Sequence, residues 1–332
     1  LEKEELRFLN KFQRGEKTVI ILGAGISGKI AQHFFKEKTP SVYDKKHKEE
    51  VFSGHKALMR TSDPRIGFIL GSDMEKITVD KAVFWKGEIL SKSYLSACNM
   101  YSRKVSGGLH RRSIYSMEPV ERYLLPSNLF CENVFFDKKV LKITRDRKVI
   151  FGDDTEISYD LCISTIPITE LAEACGIKLG KDCFFKQPIY VSRVFLDCPC
   201  SINQTVYIPE LHLNCYRMTI QKGIVIIESV GDFSTEKEIE YLFEAVGIKE
   251  FFNPKSIKNF KQEYGKLSCS DDLARRSLIL TLTEEFNIYS FGRFAIWSDV
   301  MMKDLIQDVE RIKKLISLSE RSRYENKLSK LY

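Results

Sequence analysis

Residues 17–46 read KTVIILGAGISGKIAQHFFKEKTPSVYDKK. The apolar run Val19–Leu22 predicts a buried strand, and Gly23, Gly25 and Gly28 follow it in G-x-G-x-x-G spacing. The next segment has apolar residues at Ile26, Ile30 and Phe34, the four-residue recurrence of a helix packed on one face. A second strand, SVYD, ends at Asp44, 21 positions after Gly23. Each part has a physical task. Gly23 permits the tight turn, Gly25 lets backbone approach a pyrophosphate, and Gly28 lets helix and strand pack closely. The backbone N–H groups at the helix start, through Ile26, Ser27 and Gly28, face an anion with the favourable end of the helix dipole. Asp44, with Lys45 beside it, stands where a ribose would be bound. Glycines, flanking strand and helix, and the acid together predict a dinucleotide site.

The bulk properties fit a globular chain with room for two units. It has 332 residues, 43% hydrophobic and 29% charged, and no segment of low complexity. No apolar run is long enough to span a bilayer. The opening LEKEELRFLNKFQRGEK is too charged for the core of a signal peptide. The nine cysteines are scattered, mostly in apolar runs, which reads as reduced thiols of a cytoplasmic protein, with no metal site. Cys198 and Cys200 are the close pair, for which a zinc or redox role is the lesser alternative. The net charge of +7 is compatible with an anionic partner, nucleic acid included, without demanding one. The densest basic spot is GGLHRRS at 107–113.

After Asp44 the β-α-β alternation stops. FSGHKA follows at 52–57, then a mixed stretch over 66–130 with helical patches such as SKSYLSACNMYSRKV. Residues 140–144, 149–151 and 156–158 predict a meander turning at Gly152-Asp153-Asp154, and 161–164 a buried strand that re-enters the main sheet. Near the C-terminus, YSFGRFAIWSDVMMKDLIQDVERI predicts a short strand, then Gly292-Arg293, an aromatic loop and an amphipathic helix with Met301, Leu305, Val309, Ile312 and Ile316 on one face.

Four segments, VIILGAGISG with VYD, FSGHKA, VLKIT…VIFGDDTEISYDLCISTIPI and YSFGRFAIWSDVMMKDLIQDVERI, resemble the superfamily of FAD-dependent amine oxidases, protoporphyrinogen oxidases and UDP-galactopyranose mutases. They cover roughly a third of the chain, in the family's order. The resemblance implies an α/β fold, a Rossmann-like FAD-binding domain with an inserted α+β substrate domain. The FAD-binding part would comprise residues 17–65, 131–170 and 262–318, the substrate domain 66–130 and 171–261, and charged extensions 1–16 and 319–332. It implies that Arg293, after Gly292, balances diphosphate charge. Ser298 would cap the last helix, and the N–H groups of Asp299, Val300 and Met301 would face the flavin pyrimidine edge. Val140 would offer its backbone to adenine. Ser53-Gly54-His55 would pass the flavin, with Ser53 where the family usually has a glycine, and Thr165 would mark a strand-end turn near the cofactor.

Beyond 171 the sequence predicts antiparallel strands within 184–230, with a Gln221-Lys222-Gly223 turn between the last two. A helix follows, with a Thr235-x-x-Glu238 capping box and Gly247 as its stop. Tyr190, Arg193, Tyr207, His212, Tyr216 and Arg217 could line a pocket in that sheet. His55, Tyr216 and Arg217 are the catalytic candidates, although His55 reads more plainly as a capping or surface residue. The implied function is an FAD-dependent oxidoreductase acting on a C–N or C–H bond of an amine-bearing substrate, free or part of a larger molecule such as a modified nucleobase. A mutase-like flavoenzyme acting on a sugar nucleotide and a non-catalytic FAD-binding protein are the alternatives.

Overall fold

The computed structural model describes residues 17–52, 59–105, 114–126, 131–180, 183–198 and 200–328. Ser53, Gly54, His55 and the basic stretch 107–113 lie outside the described residues.

Two large sheets organise the molecule. The first is parallel throughout. Its strands are β1 (Val19–Leu22), β2 (Ser41–Tyr43), β7 (Val134–Phe135), β11 (Leu161–Ser164) and β17 (Ile288–Ser290), in the order β17-β11-β1-β2-β7. All four residues of β1 are buried, as a central strand covered on both faces requires. One face packs against α1 (Ile26–Phe34), α3 (Arg65–Leu70) and α9 (Asp304–Leu328). The other packs against α5 (Ile168–Ala174), α7 (Asp272–Phe286) and the antiparallel meander β8 (Val140–Ile143), β9 (Lys148–Phe151) and β10 (Glu156–Ser158). The short helix α2 (Lys48–Phe52) follows β2.

Among the described residues the second sheet has nine strands. Along it run β16 (Lys258–Cys269), β12 (Phe184–Phe195), β15 (Ile224–Ser229), β14 (Cys215–Gln221), β13 (Asn203–Tyr207), β4 (Lys76–Trp85), β6 (Val120–Leu124) and β3 (Arg60–Thr61), with β5 (Glu88–Leu90) beside β4. Residues 66–130 thus supply three strands as well as α4 (Leu95–Lys104), where the sequence pattern suggests mainly helical patches. β4 joins the sheet through a parallel pairing with β13, more than a hundred residues away, which no local pattern announces. The segment 205–220 is two strands joined by a turn. β16 crosses the expected boundary at residue 262, and β3 belongs to this sheet although it precedes residue 65.

The longest pairing, β12 with β16, is offset between Gln187 and Ile189. Pro188 lies between them and has no N–H for the ladder. The offset drives Ile189 onto Gly265, where an added Cβ would lie 2.6 Å from the Ile189 side chain. One face of the sheet is covered by α6 (Glu236–Ala245) through Ile239, Leu242 and Phe243. Thr235 caps this helix by accepting from Glu238 N–H at 3.2 Å, but the Glu238 carboxylate accepts from Cys215 N–H at 2.7 Å, so α6 is tied to β14 rather than closed into a capping box. The opposite face packs against α4 through Ala97, Cys98 and Tyr101. No helix among the described residues is long and apolar enough to cross a membrane.

Candidate functional site

The glycine turn takes the form its spacing predicts. Gly23 has φ +98°, and a Cβ there would lie 2.4 Å from Thr165 Oγ1. A Cβ on Gly28 would lie 2.1 Å from Gly23 O, so α1 and the turn after β1 touch through bare backbone. Above Gly25 there is open space within 4 Å. Gly25 is also the N-cap of α1, with no side-chain cap and no acid in the first turn. The helix start therefore leaves N–H groups for an outside acceptor.

The C-terminal turn completes this edge. Gly292 has φ +86°, and its missing Cβ would fall 2.3 Å from Ser27 Oγ. Residues 27 and 292, from opposite ends of the chain, are in direct contact at the carboxyl edge of the parallel sheet. Ser164 and Ser290 are register partners at the ends of β11 and β17, and both hydroxyls are buried without a partner. Ligands of open α/β sheets bind at such an edge. Thr165 closes the turn by donating its hydroxyl to Leu22 O at 2.9 Å.

Asp44 stands just beyond β2. One carboxylate oxygen accepts from Ala24 N–H at 2.7 Å and the other from Lys46 N–H at 2.8 Å, so it braces the glycine turn directly. Lys45 is paired with Glu170 at 2.8 Å. Val140 begins the meander opposite Phe151, whose ring stacks on Tyr43 at 5.0 Å.

The C-terminal segment differs from expectation at the start of its long helix and at Met301. After β17 comes a short helix, α8 (Arg293–Ile296), and Trp297 then takes left-handed backbone at φ 48°. Its indole N–H donates to Ser268 O at 3.0 Å, which pins the loop to β16. The long helix starts only at Asp304, so Ser298 does not cap it, and the N–H groups of Asp299, Val300 and Met301 are not its first turn. Met301 N–H donates to the Asp304 carboxylate at 3.1 Å, and Val300 N–H to Ser298 O at 2.9 Å. Met301 is exposed, whereas Leu305, Val309, Ile312 and Ile316 form the buried face as expected.

Arg293 leaves this turn toward the nine-stranded sheet. Its guanidinium donates to Gly265 O at 2.9 Å and lies 3.5 Å from the Asp299 carboxylate, while its Nε is buried without a partner. The sheet face it meets is charged. Glu228 on β15 is paired with its register neighbour Arg217 on β14 and accepts from the Tyr216 hydroxyl at 3.1 Å. Burial works against the charged Glu228, but the Arg217 guanidinium, helped by Lys266, holds its carboxyl below the usual range. Lys266 on β16 is 2% exposed, sits 4.6 Å from the Tyr216 ring centre, and its Nζ has no hydrogen-bond partner. Burial, with Arg217 and Arg293 nearby, pushes it down to about 7. Arg60 donates to Thr205 Oγ1 at 3.1 Å, leaves Nη1 buried and unpartnered, and is pushed down to about 10 by burial.

Of the six pocket candidates on this sheet, Tyr207, Tyr216 and Arg217 converge here, with Tyr101 of α4 packed on both tyrosines. Tyr190 packs on Phe233, Arg193 lies over the Phe195 ring, and His212 is exposed beside Glu210. Burial and Glu228 push the Tyr216 hydroxyl well above the ordinary phenol range, so it is no base near neutral pH. Arg60, Glu228 and Lys266 were not singled out from sequence. The available signal was the acid inside IVIIES, an ionisable residue in an otherwise apolar strand; Lys266 lies in the polar run KNFKQEYGKLSC and carries no such signal.

No family model matches the chain, and no curated protein matches it. Solved structures do. Reduced UDP-galactopyranose mutase is 14% identical with a TM-score of 0.63, over 91% of this chain and 94% of that one. A CLA-producing fatty acid isomerase from P. acnes is 11% identical with a TM-score of 0.60, over 90% and 98% of the two chains. A variant of putrescine oxidase from a redesign of its cofactor binding is 8% identical with a TM-score of 0.59, over 91% and 99%. At these identities the likeness is one of fold, and the chain shares the fold of these three proteins.

Proposed function

We propose that the chain is an FAD-dependent oxidoreductase that oxidises a C–N or C–H bond of an amine-bearing substrate, free or attached to a larger molecule. The observation that carries this reading is the contact of Gly292 with Ser27, which brings the C-terminal turn against the glycine fingerprint. The residues present fit the cofactor. Open space over Gly25, the uncapped start of α1 and the unpartnered hydroxyls of Ser164 and Ser290 all suit a phosphate-bearing group at this edge. In this reading Gly23, Gly25, Ile26, Ser27 and Gly28 bind the diphosphate. Asp44 and Val140 hold the adenosine half, and Thr165 and Gly292 close the edge. Arg293, Ser298, Asp299 and Val300 stand on the flavin side.

Bound FAD would supply the hydride acceptor. The protein's share is position and charge. Arg293 ties the nucleotide edge to β16 through Gly265, so the charged face of the nine-stranded sheet stands opposite that edge. The same face gives a second reading some support. Arg60, Arg217, Tyr207 and Tyr216 are groups that could clamp a sugar nucleotide, as a mutase-like flavoenzyme would need, and reduced UDP-galactopyranose mutase is among the fold neighbours.

Anaerobic mixing of the FAD-loaded protein with a panel of amines tests the choice. Bleaching of the flavin without added reductant is the result expected. Turnover of a sugar nucleotide only after dithionite reduction would replace the first reading by the second, and no response to either panel would leave a non-catalytic FAD-binding protein.

A further inference from the structure

We propose that the buried charged face formed by Arg60, Arg217, Lys266 and Arg293 is a carboxylate-binding subsite, so that the substrate carries a carboxylate at its non-reacting end. The inference rests on the reading of this junction as a substrate site, and it names the chemical class that site takes.

Three N–H-bearing atoms of this cluster, Arg60 Nη1, Lys266 Nζ and Arg293 Nε, are buried and have no hydrogen-bond partner. A buried donor without an acceptor is destabilising, and charged donors are the worst case. Lys266 feels the charges of Arg217, Glu228 and Arg293, and Arg60 those of Arg217 and Glu228, so these unmet donors border one charge cluster and point to a missing acceptor there. The charges agree. Glu228 and Asp299 stand against Arg60, Arg217, Lys266 and Arg293, which leaves positive charge in excess. The cluster is reachable, because the Arg217 and Arg293 side chains are 20% and 33% exposed while Lys266 forms the floor.

The size of the excess favours a carboxylate over a diphosphate. Arg217 is already committed to Glu228, and Arg293 faces Asp299. Arg60 and Lys266 remain, and Lys266 is held close to neutrality by its burial and by Arg217 and Arg293. One negative charge matches what is left, and a planar carboxylate can accept from several donors at once. The groups that set the Lys266 charge are Arg217 and Tyr216 on β14, Glu228 on β15, and Arg293 and Asp299 on the C-terminal turn.

The test is calorimetric titration of the purified full chain with benzoate, its neutral isostere benzamide, and inorganic phosphate. We expect benzoate to bind at least about tenfold more tightly than benzamide, the factor a charge-assisted hydrogen bond supplies. Benzoate affinity should fall as pH rises from 6 to 9, because Lys266 loses its proton over that range. Lys266→Met should abolish that pH dependence and weaken benzoate about ten- to a hundredfold, with benzamide unchanged. Lys266→Arg should restore affinity without the pH dependence. Equal binding of benzoate and benzamide by the unaltered protein overturns the proposal without recourse to any variant, and tighter binding of phosphate than benzoate overturns the choice of carboxylate. The flavin reading fails separately. A colourless protein that still discriminates benzoate through Lys266 would sink the cofactor and leave the subsite standing.

Discussion

The carboxyl edge of the parallel sheet and the inner face of the nine-stranded sheet meet at Gly292 and Arg293, and they handle polarity in opposite ways. Along the edge the available groups are backbone N–H and serine hydroxyls, and glycines keep side chains away: Gly23, Gly28 and Gly292 each sit where a Cβ would be 2.4 Å or less from a neighbour. On the inner face the working groups are buried ionised side chains, held by one another. Glu228 is bound by Arg217 and Tyr216, which ties β15 to β14, and the Lys266 charge on β16 acts on the same carboxylate. A backbone site is broken by adding atoms. A charge site is broken by removing one partner and leaving the other buried.

The largest effect is therefore expected on the charged face. Glu228→Gln leaves Arg217 without its carboxylate and should lower stability by about 3–5 kcal/mol, the usual result of breaking a buried pair. Denaturant unfolding at neutral pH measures it. Because the Glu228 carboxyl is held below its ordinary range, its contribution is present above that range and is lost as pH falls through the folded-state value. The acid side of the stability profile should accordingly flatten in Glu228→Gln. An unchanged profile would mean that the Arg217 pair adds nothing.

The edge comes next, and there two glycines three residues apart should behave differently. Gly28→Ala pushes a methyl into Gly23 O and should lower stability by about 1–3 kcal/mol or more, as overpacking does. Gly25→Ala meets open space, so stability should change by less than about 1 kcal/mol while FAD retention after desalting falls. Equal losses of stability in both variants would show that the edge is merely a tight turn.

Lys266→Met sharpens the contrast from the other side. Lys266 is pushed down to about 7 from an ordinary value of 10.5, so between those values the unfolded chain holds a proton that the folded chain does not. Stability should then rise with pH across that window. Lys266→Met removes this dependence and should stabilise the protein near pH 7 by about 1–2 kcal/mol, at the expense of ligand affinity. A loss of stability instead would mean that the ammonium has a partner on this face. The smallest effect is expected at Ser298, which caps no helix: Ser298→Ala should shift stability by less than about 0.5 kcal/mol, against about 1 kcal/mol for the true cap in Thr235→Ala.

The edge was legible in the sequence because its demands are local. Turn, helix and acid lie within residues 17–46, and φ +98° at Gly23 is a constraint that a single residue type reveals. The meander and the buried β11 were legible for the same reason. The helix start was misread because Ser298 has the chemistry of a cap, whereas the helix begins only at Asp304. The choice fell to a tertiary contact, the Trp297 indole on Ser268, that no nearby residue encodes. The charged face was the least legible part. Arg60, Arg217, Glu228 and Lys266 come from four strands, and only their pairing in space turns scattered charges into one cluster.

The measurement that bears most directly on the central claim is the visible spectrum of the full chain after incubation with FAD and desalting. The account predicts a yellow protein with the paired bands of an oxidised flavin, one FAD per chain released on heat unfolding, and loss of that colour in Gly25→Ala with the fold intact. A colourless wild-type protein that retains NAD but not FAD would contradict it.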